Sequence, residues 1–410
     1  MKNHRKQPGY ILVFSLMFIA LVMMLSTIIS NRARLHVGYS KTMLDKERAK
    51  ILALSGLEIA KVQLAIVQKS EDTLREDAKA PPQGDRGGAG LSELWTEKEA
   101  KEFIKNVYPY LNNWQEFNLT EKNFGVNGEI KISIGVEGGK IDLNQIFDFK
   151  NKKFVGQKKG SKKTTQNKKE KDNKSKGAKE TKESESSGDF KKVFDELFKS
   201  MGKFVKVKEL QKKIEGYLTK KQQFEKILKN RQNKLYDLTE FCAIKEFDVF
   251  QDKVFYEPSV GSMERGKVVN KQKPTIFWTD IFTIWSGVKK INPWFISPSM
   301  QRILKFKKSP SVEAIKKRAE KIAKKFKKNL SFPSDWKEIF EPLFGVKYDN
   351  LPKWIKPLMS KKFEPKVFSV LSSGKVGKVS QKIFAIIERK KVKKKEKIVV
   401  EFDIKKLYWL

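Results

Sequence analysis

The chain has one cysteine, Cys242, and two histidines, His4 and His36, in 410 residues. A single thiol excludes an internal disulfide, so an oxidising compartment would have to be endured without covalent cross-links. Both histidines lie beside the apolar segment near the N-terminus. The remainder of the chain therefore cannot build a His-based metal site or a Ser-His-Asp triad. No Gly-rich phosphate loop and no nucleophile elbow is present. Carboxylates remain as candidate catalytic groups, and a structural protein without catalysis is the expectation. Acidic residues are also scarce, 48 against 87 Lys and Arg, for a formal charge of +39. Such a balance brings nucleic acid and anionic membranes into view as partners. The excess is mostly lysine, a point charge without arginine's bidentate fork. Lys, Ile, Phe and Asn are abundant together, as in a lysine-biased proteome, and nucleic acid is not an expected partner.

What the chain does have is one long apolar run, Gly9 to Ile29, broken only by Ser15, Ser26 and Thr27. About 20 residues at ~1.5 Å rise match the roughly 30 Å of a hydrocarbon core. A basic leader with Lys2, Arg5 and Lys6 precedes it, and Arg32 and Arg34 come after it. No Ala-x-Ala-like site closes the run, so it does not read as an ordinary secretory signal. Charge on both flanks leaves a small preference for a cytoplasmic N-terminus. From Asn31 to Gln68 there is no proline and only Gly38 and Gly56, so one helix over 10–69 is expected. Leu57, Ala53, Ala60, Leu64 and Val67 share one face of it. Leu52, Ile59, Val62 and Ile66 form a second stripe, and two stripes imply burial on two sides, by a sheet and by neighbouring subunits.

Beyond the helix, Pro81, Pro82 and four glycines mark a loop over 70–92, succeeded by a short helical stretch to Leu111. Gly128 to Val136 alternates polar and apolar residues and predicts a half-buried strand. It ends at Glu137-Gly-Gly-Lys-Ile-Asp-Leu-Asn144, with Asn144 placed to cap the next element. Residues 156–189 carry almost no apolar side chains and should be disordered. From Phe190 to Phe344 the period is helical, with many prolines between short helices. Residues 366–371, 379–387 and 398–404 read as strands, with Gly374 and Gly377 at the first turn. The fold class expected is α+β: a long N-terminal helix, transmembrane at its start, packed on a small antiparallel sheet. Residues 1–9 form a leader, 70–144 the first part of the sheet domain, 145–360 an inserted all-helical domain with two subdomains, and 361–410 the strands that complete the sheet.

Gly9, after a short basic leader and before an apolar helix, resembles a type IV prepilin signal. The resemblance implies cleavage by a prepilin peptidase between Gly9 and Tyr10 and methylation of the new N-terminus. Prepilins usually carry a glutamate five residues after the cut, and this chain has Phe14. A carboxylate inside a bilayer costs several kcal/mol unless paired, and in pilins its partner is the N-terminal amine of the subunit ahead. General secretion pathway protein K, the large minor pseudopilin of type II secretion, is the pilin-like family that omits it. Leu44-Asp45-Lys46-Glu47-Arg48-Ala49 with Leu54 to Glu58, Leu235-Tyr-Asp-Leu-Thr-Glu-Phe241, and Phe368 to Gly374 with Ile383 to Arg389 are similar to stretches of that family. So are Gly139-Lys140-Ile141-Asp142-Leu143-Asn144 and a second Lys290-Ile291-Asn292 downstream of Asp280 to Trp285. Each strand-end motif would open a helical subdomain. Lys289 stands where the family has glycine in the second motif, and Trp294 where it has a second asparagine.

Membership would make the chain a structural minor pseudopilin of the inner membrane with a periplasmic domain. It would sit at the tip of the pseudopilus, initiating it and supporting export. Its partners would be the I-type and J-type minor pseudopilins, the prepilin peptidase and the inner-membrane secretion platform. Some members bind calcium. Here Asp237, Glu240, Glu246 and Asp248 are the only nearby acidic cluster, the three-residue spacing of Asp237 and Glu240 reads as solvent-facing charge, and neither a metal nor another cofactor is expected. The alternative class is a tip minor pilin of a type IV pilus, serving adhesion or DNA capture.

Overall fold

The computed structural model describes residues 8–72, 95, 97–156, 189–225, 234–258, 263–264, 267–268, 275–306, 315–318, 340–341, 343–360, 363, 365–394 and 397–410. Helix α1 runs unbroken from Pro8 to Asp72, 65 residues. Pro8 opens it, where a missing N–H breaks no helical bond. It is the one described helix long and apolar enough to cross a membrane. Its most apolar window has a mean hydropathy of 2.7, and none of that window is buried within the chain.

The second half of α1 lies on a five-stranded antiparallel sheet. Its strands are β1 (Gln115–Leu119), β2 (Gly128–Val136), β9 (Val367–Val376), β10 (Val379–Lys394) and β11 (Lys397–Trp409), in the order β1-β2-β9-β10-β11. The late strands thus pair with the strand at 128–136, with Val136 opposite Phe368. β9 to β11 are longer than expected, and β1, whose Gln-Glu-Phe-Asn-Leu has little apolar signal, is an additional edge strand. Gly377 takes positive φ at the β9–β10 turn, but Gly374 lies inside β9. A Cβ on Gly374 would sit 2.1 Å from the Ala49 carbonyl oxygen and 2.6 Å from the Ala53 nitrogen. The glycine therefore serves close approach of helix and strand rather than a turn.

Ala49, Leu52, Ala53, Leu57, Ala60 and Leu64 of α1 are buried against this sheet. Leu52 belongs to this face, not to the second stripe, because a helix seated on a broad sheet buries more than one row of side chains. Ile59 is half-buried, Val62 is exposed, and the side chains of Ile66 and Val67 lie outside the described residues. The exposed apolar row opposite the sheet is made instead by Leu44, Ile51 and Val62, with Leu54 beside it. β2 is buried along most of its length rather than half-buried. The reason is that the far side of the sheet is also covered: Val367, Leu371, Phe384 and Ile386 pack there with Trp114, Phe255, Trp285 and Tyr408.

Residues 137–366 connect two strands that are neighbours in the sheet. This stretch is not all-helical. It contains α4 (Leu143–Ile146), α5 (Phe190–Met201), α6 (Lys208–Glu225) and α7 (Pro298–Ile303), after α2 (Glu97–Asn106) and α3 (Glu121–Phe124) of the preceding segment. Short 3-10 turns make up much of the rest, including 238–243 and 245–253. Three two-stranded pieces also occur: β3 (Ile141–Asp142) with β8 (Phe282–Thr283), β4 (Phe147–Asp148) with β5 (Lys153–Phe154), and β6 (Met263–Glu264) with β7 (Lys267–Val268). One continuous core joins α1, the sheet and the aromatic interior around Trp278, Phe241, Phe247 and Phe282. The segment expected to be disordered, 156–189, lies outside the described residues except for its two ends, as does the loop at 70–92 beyond Asp72.

Candidate functional site

Lys140 precedes the two-residue strand β3 (Ile141–Asp142), and Leu143 and Asn144 open α4, so the five residues pass from strand to helix within one turn of chain. Ile141 and Leu143 are core residues. The three polar residues each hold a different part of the chain. Lys140 is buried, paired with the buried Glu137, and its Nζ lies 3.4 Å from Ser369 Oγ of β9. Asp142 Oδ2 accepts from Ser286 Oγ at 2.9 Å and from the Gly287 N–H at 2.8 Å. Its Oδ1 accepts from the Asn144 N–H at 2.9 Å, so Asp142 and not Asn144 is the cap of α4. Asn144 instead clamps Leu235, accepting its N–H at 2.8 Å and donating to its carbonyl at 2.9 Å. Five residues thus stitch the sheet to two distant loops.

The second motif lies against the first. The Asn292 N–H donates to the Gly138 carbonyl at 2.7 Å. A Cβ on Gly139 would fall 1.6 Å from the Phe295 carbonyl oxygen, so only glycine fits. Asn292 accepts from the Trp294 N–H at 3.1 Å, as Asp142 does from Asn144. Ile141 donates to Ile281, and Ile291 to Leu358 at 2.7 Å, each at the edge of a short parallel pairing. The repeat is therefore one of backbone geometry. It ends at Trp294, which is buried against Tyr108 and Phe363 rather than clamping another loop. Lys290 is half-exposed.

Burial pushes the Asp142 carboxyl up to about 6, against the hydrogen bonds from Gly287, Ser286 and Asn144 that favour its charged form. Asp280, fully buried, is also raised by burial, with the nearby Lys140 charge opposing. A carboxyl raised from 3.8 stabilises the fold fully below pH 4, and that contribution is lost as pH climbs through 6. The span corresponds to about 3 kcal/mol at most. The Asp142→Asn variant is expected to lose this downward slope between pH 4 and 7 while keeping the cap. Urea midpoints of both chains in detergent across that range check it, and parallel profiles would contradict the assignment.

Asp237 and Glu240 are not solvent-facing charges. Asp237 caps the 3-10 helix at 238–243 and Glu240 closes the capping box by accepting the Asp237 N–H. Asp237 also accepts from Tyr408 Oη at 2.8 Å and pairs with Lys406 at 3.0 Å, tying this turn to β11. Glu246 pairs with Lys213, and Asp248 is exposed. Among the described residues no three His, Cys, Asp or Glu converge to hold a metal.

The sequence signal also passed over a clamp at the far end of β10. Arg389 is fully buried, 2.8 Å from Glu99 Oε1, with its guanidinium 4.0 Å above the Trp95 ring. Lys391 reaches the other Glu99 oxygen at 2.8 Å. One clue was available: Arg389 is the lone arginine in a run of lysines, where a planar group that stacks and forks is needed.

Gly9 and Tyr10 lie in the first turn of α1, and Phe14 is 64% exposed one turn further on. Comparison with models of protein families, with curated proteins and with solved structures finds no match to this chain. The arrangement itself is that of a bare apolar helix joined without a break to a domain built around a polar hub. Lys140, Glu137, Asp142 and Asp280 of the hub are all buried in the folded chain.

Proposed function

We propose that the chain is a structural minor pseudopilin of the general secretion pathway protein K type, without catalysis. It is processed between Gly9 and Tyr10 and assembles through α1 with smaller minor pseudopilins in the inner membrane. The observation that carries this reading is the single 65-residue helix, exposed and apolar at its start and seated on an antiparallel sheet at its end. A lone membrane anchor needs no rigid continuity with its domain, whereas a subunit in a helical stack does. Phe14 in place of the usual glutamate suits the one position with no subunit ahead. The large stretch between β2 and β9 would block stacking above it and face the periplasm as a cap.

Co-expression with a prepilin peptidase and sequencing of the mature N-terminus tests the processing step. The expected first residue is Tyr10, methylated on its amine. An intact Met1, or a start elsewhere, overturns the reading.

A further inference from the structure

The sheet has two edges of different character. β1 has 5 residues, whereas β11 has 13 and no proline. Short strands, prolines, lysines and bulges are the usual means of blunting an edge, because unpaired N–H and C=O groups recruit another strand. β11 uses the last two at Lys405 and Lys406 in its middle. Lys405 is bulged out of register, which divides β11 into two parts. In the second part the Leu410 N–H donates to Lys382 of β10 at 3.0 Å. Alternation then turns the Tyr408 and Lys406 amides toward β10, and those of Leu407 and Trp409 toward the open side. Among the described residues, β11 pairs with β10 alone. This part is also held rigid. Tyr408 and Lys406 are fixed to Asp237, and Lys50 of α1 lies 5.3 Å over the Trp409 ring. Beside the edge, Ile404, Trp409 and Leu410 are 42%, 44% and 47% exposed.

We propose that the Lys406–Leu410 edge of β11 takes up an extended, acidic segment of another polypeptide as a sixth strand. Backbone groups at strand spacing call for a polypeptide partner, which nucleic acid cannot supply. The exposed Ile404, Trp409 and Leu410 favour apolar residues alternating with its charges. The sign of those charges is set by the +39 of the chain, because Lys405, Lys406 and Lys50 beside the edge already face Glu388 and Asp403, Asp237, and Glu47. A second copy of this chain would bring the same excess and be repelled.

The test uses the full chain in detergent and a labelled peptide of alternating Glu and Val. Anisotropy measures binding, and hydrogen exchange tracks residues 402–410. Binding with slowed exchange in 402–410 is expected, and a Lys-Val peptide should not bind. Trp409→Pro removes an outward N–H without touching the ladder to β10, and Trp409→Ala controls for loss of the ring. Proline should weaken binding roughly fivefold more than alanine, the worth of one hydrogen bond. Three results each overturn the proposal. Polyglutamate or duplex DNA binding as well as the Glu-Val peptide would mean charge alone. Equal effects of proline and alanine would mean a side-chain contact only. Self-association of the chain through this edge, measured by sedimentation, would make the occupant a second copy.

Discussion

Gly374→Val is expected to unseat α1 from the sheet and to leave the chain without a cooperative thermal transition. The Cβ of any other residue would meet the backbone of Ala49 and Ala53 at 2.1 and 2.6 Å, and backbone cannot move aside as a side-chain tip can. The opposing small residues, Ala49, Ala53, Gly56 and Ala60, are what allow the approach. Lifting the helix by the width of a side chain would open the whole α1 face of the core, so the cost is upward of about 4 kcal/mol. Gly38→Ala is the control on the same helix. Nothing lies within 4 Å of its added Cβ, and alanine is the better helix former. Thermal melts by near-ultraviolet circular dichroism compare the two. A Gly374→Val chain melting like the parent would show that the helix does not need this seat.

The second large effect is expected at Glu99. Glu99→Ala leaves the Arg389 guanidinium buried and removes the carboxylate shared with Lys391. Taking one partner from a fully buried pair costs about 3–5 kcal/mol, because the remaining charge stays desolvated without its carboxylate. The pair itself contributes less, since both charges were desolvated to form it. A double variant, Glu99→Leu with Arg389→Met, should therefore recover most of the loss. Denaturant midpoints of the three chains decide it, and a single variant as stable as the parent would mean that water reaches Arg389.

The difference between these two sites and the parts of the fold legible in the sequence is one of range. The helix over 10–69 and the strand at 128–136 were visible because period and breakers act over a few residues. The sheet's completion by 366–404 was visible because only those stretches shared the strand period. Gly374 read as a turn residue since glycine marks both turns and close approaches, and only the helix lying on it tells them apart. Asp237 and Glu240 read as solvent charges at helical spacing, while the partners of Asp237, Tyr408 and Lys406, are some 170 residues away and Glu240 is taken up by Tyr217 and by its own capping box. The stretch at 145–360 read as helical because a 3-10 turn and a short helix share much of their pattern. Arg389 gave a compositional hint, but its partner Glu99 is separated from it by nearly the whole domain.

Residue order was enough to establish the apolar helix that can cross a membrane, its unbroken run into the domain, and four of the five strands of the main sheet. These come from composition and from backbone preferences that neighbours in the chain already express. Which rows of α1 are buried, and that the sheet is covered on both faces, became clear only in the folded chain. Folding also brought the Gly139–Asn144 motif against Lys290–Asn292 and seated Arg389 on Glu99. Those outcomes rest on contacts between segments far apart in the chain, 290 residues for Arg389 and Glu99, where the fit of one surface to another sets the energy and no local pattern records the partner.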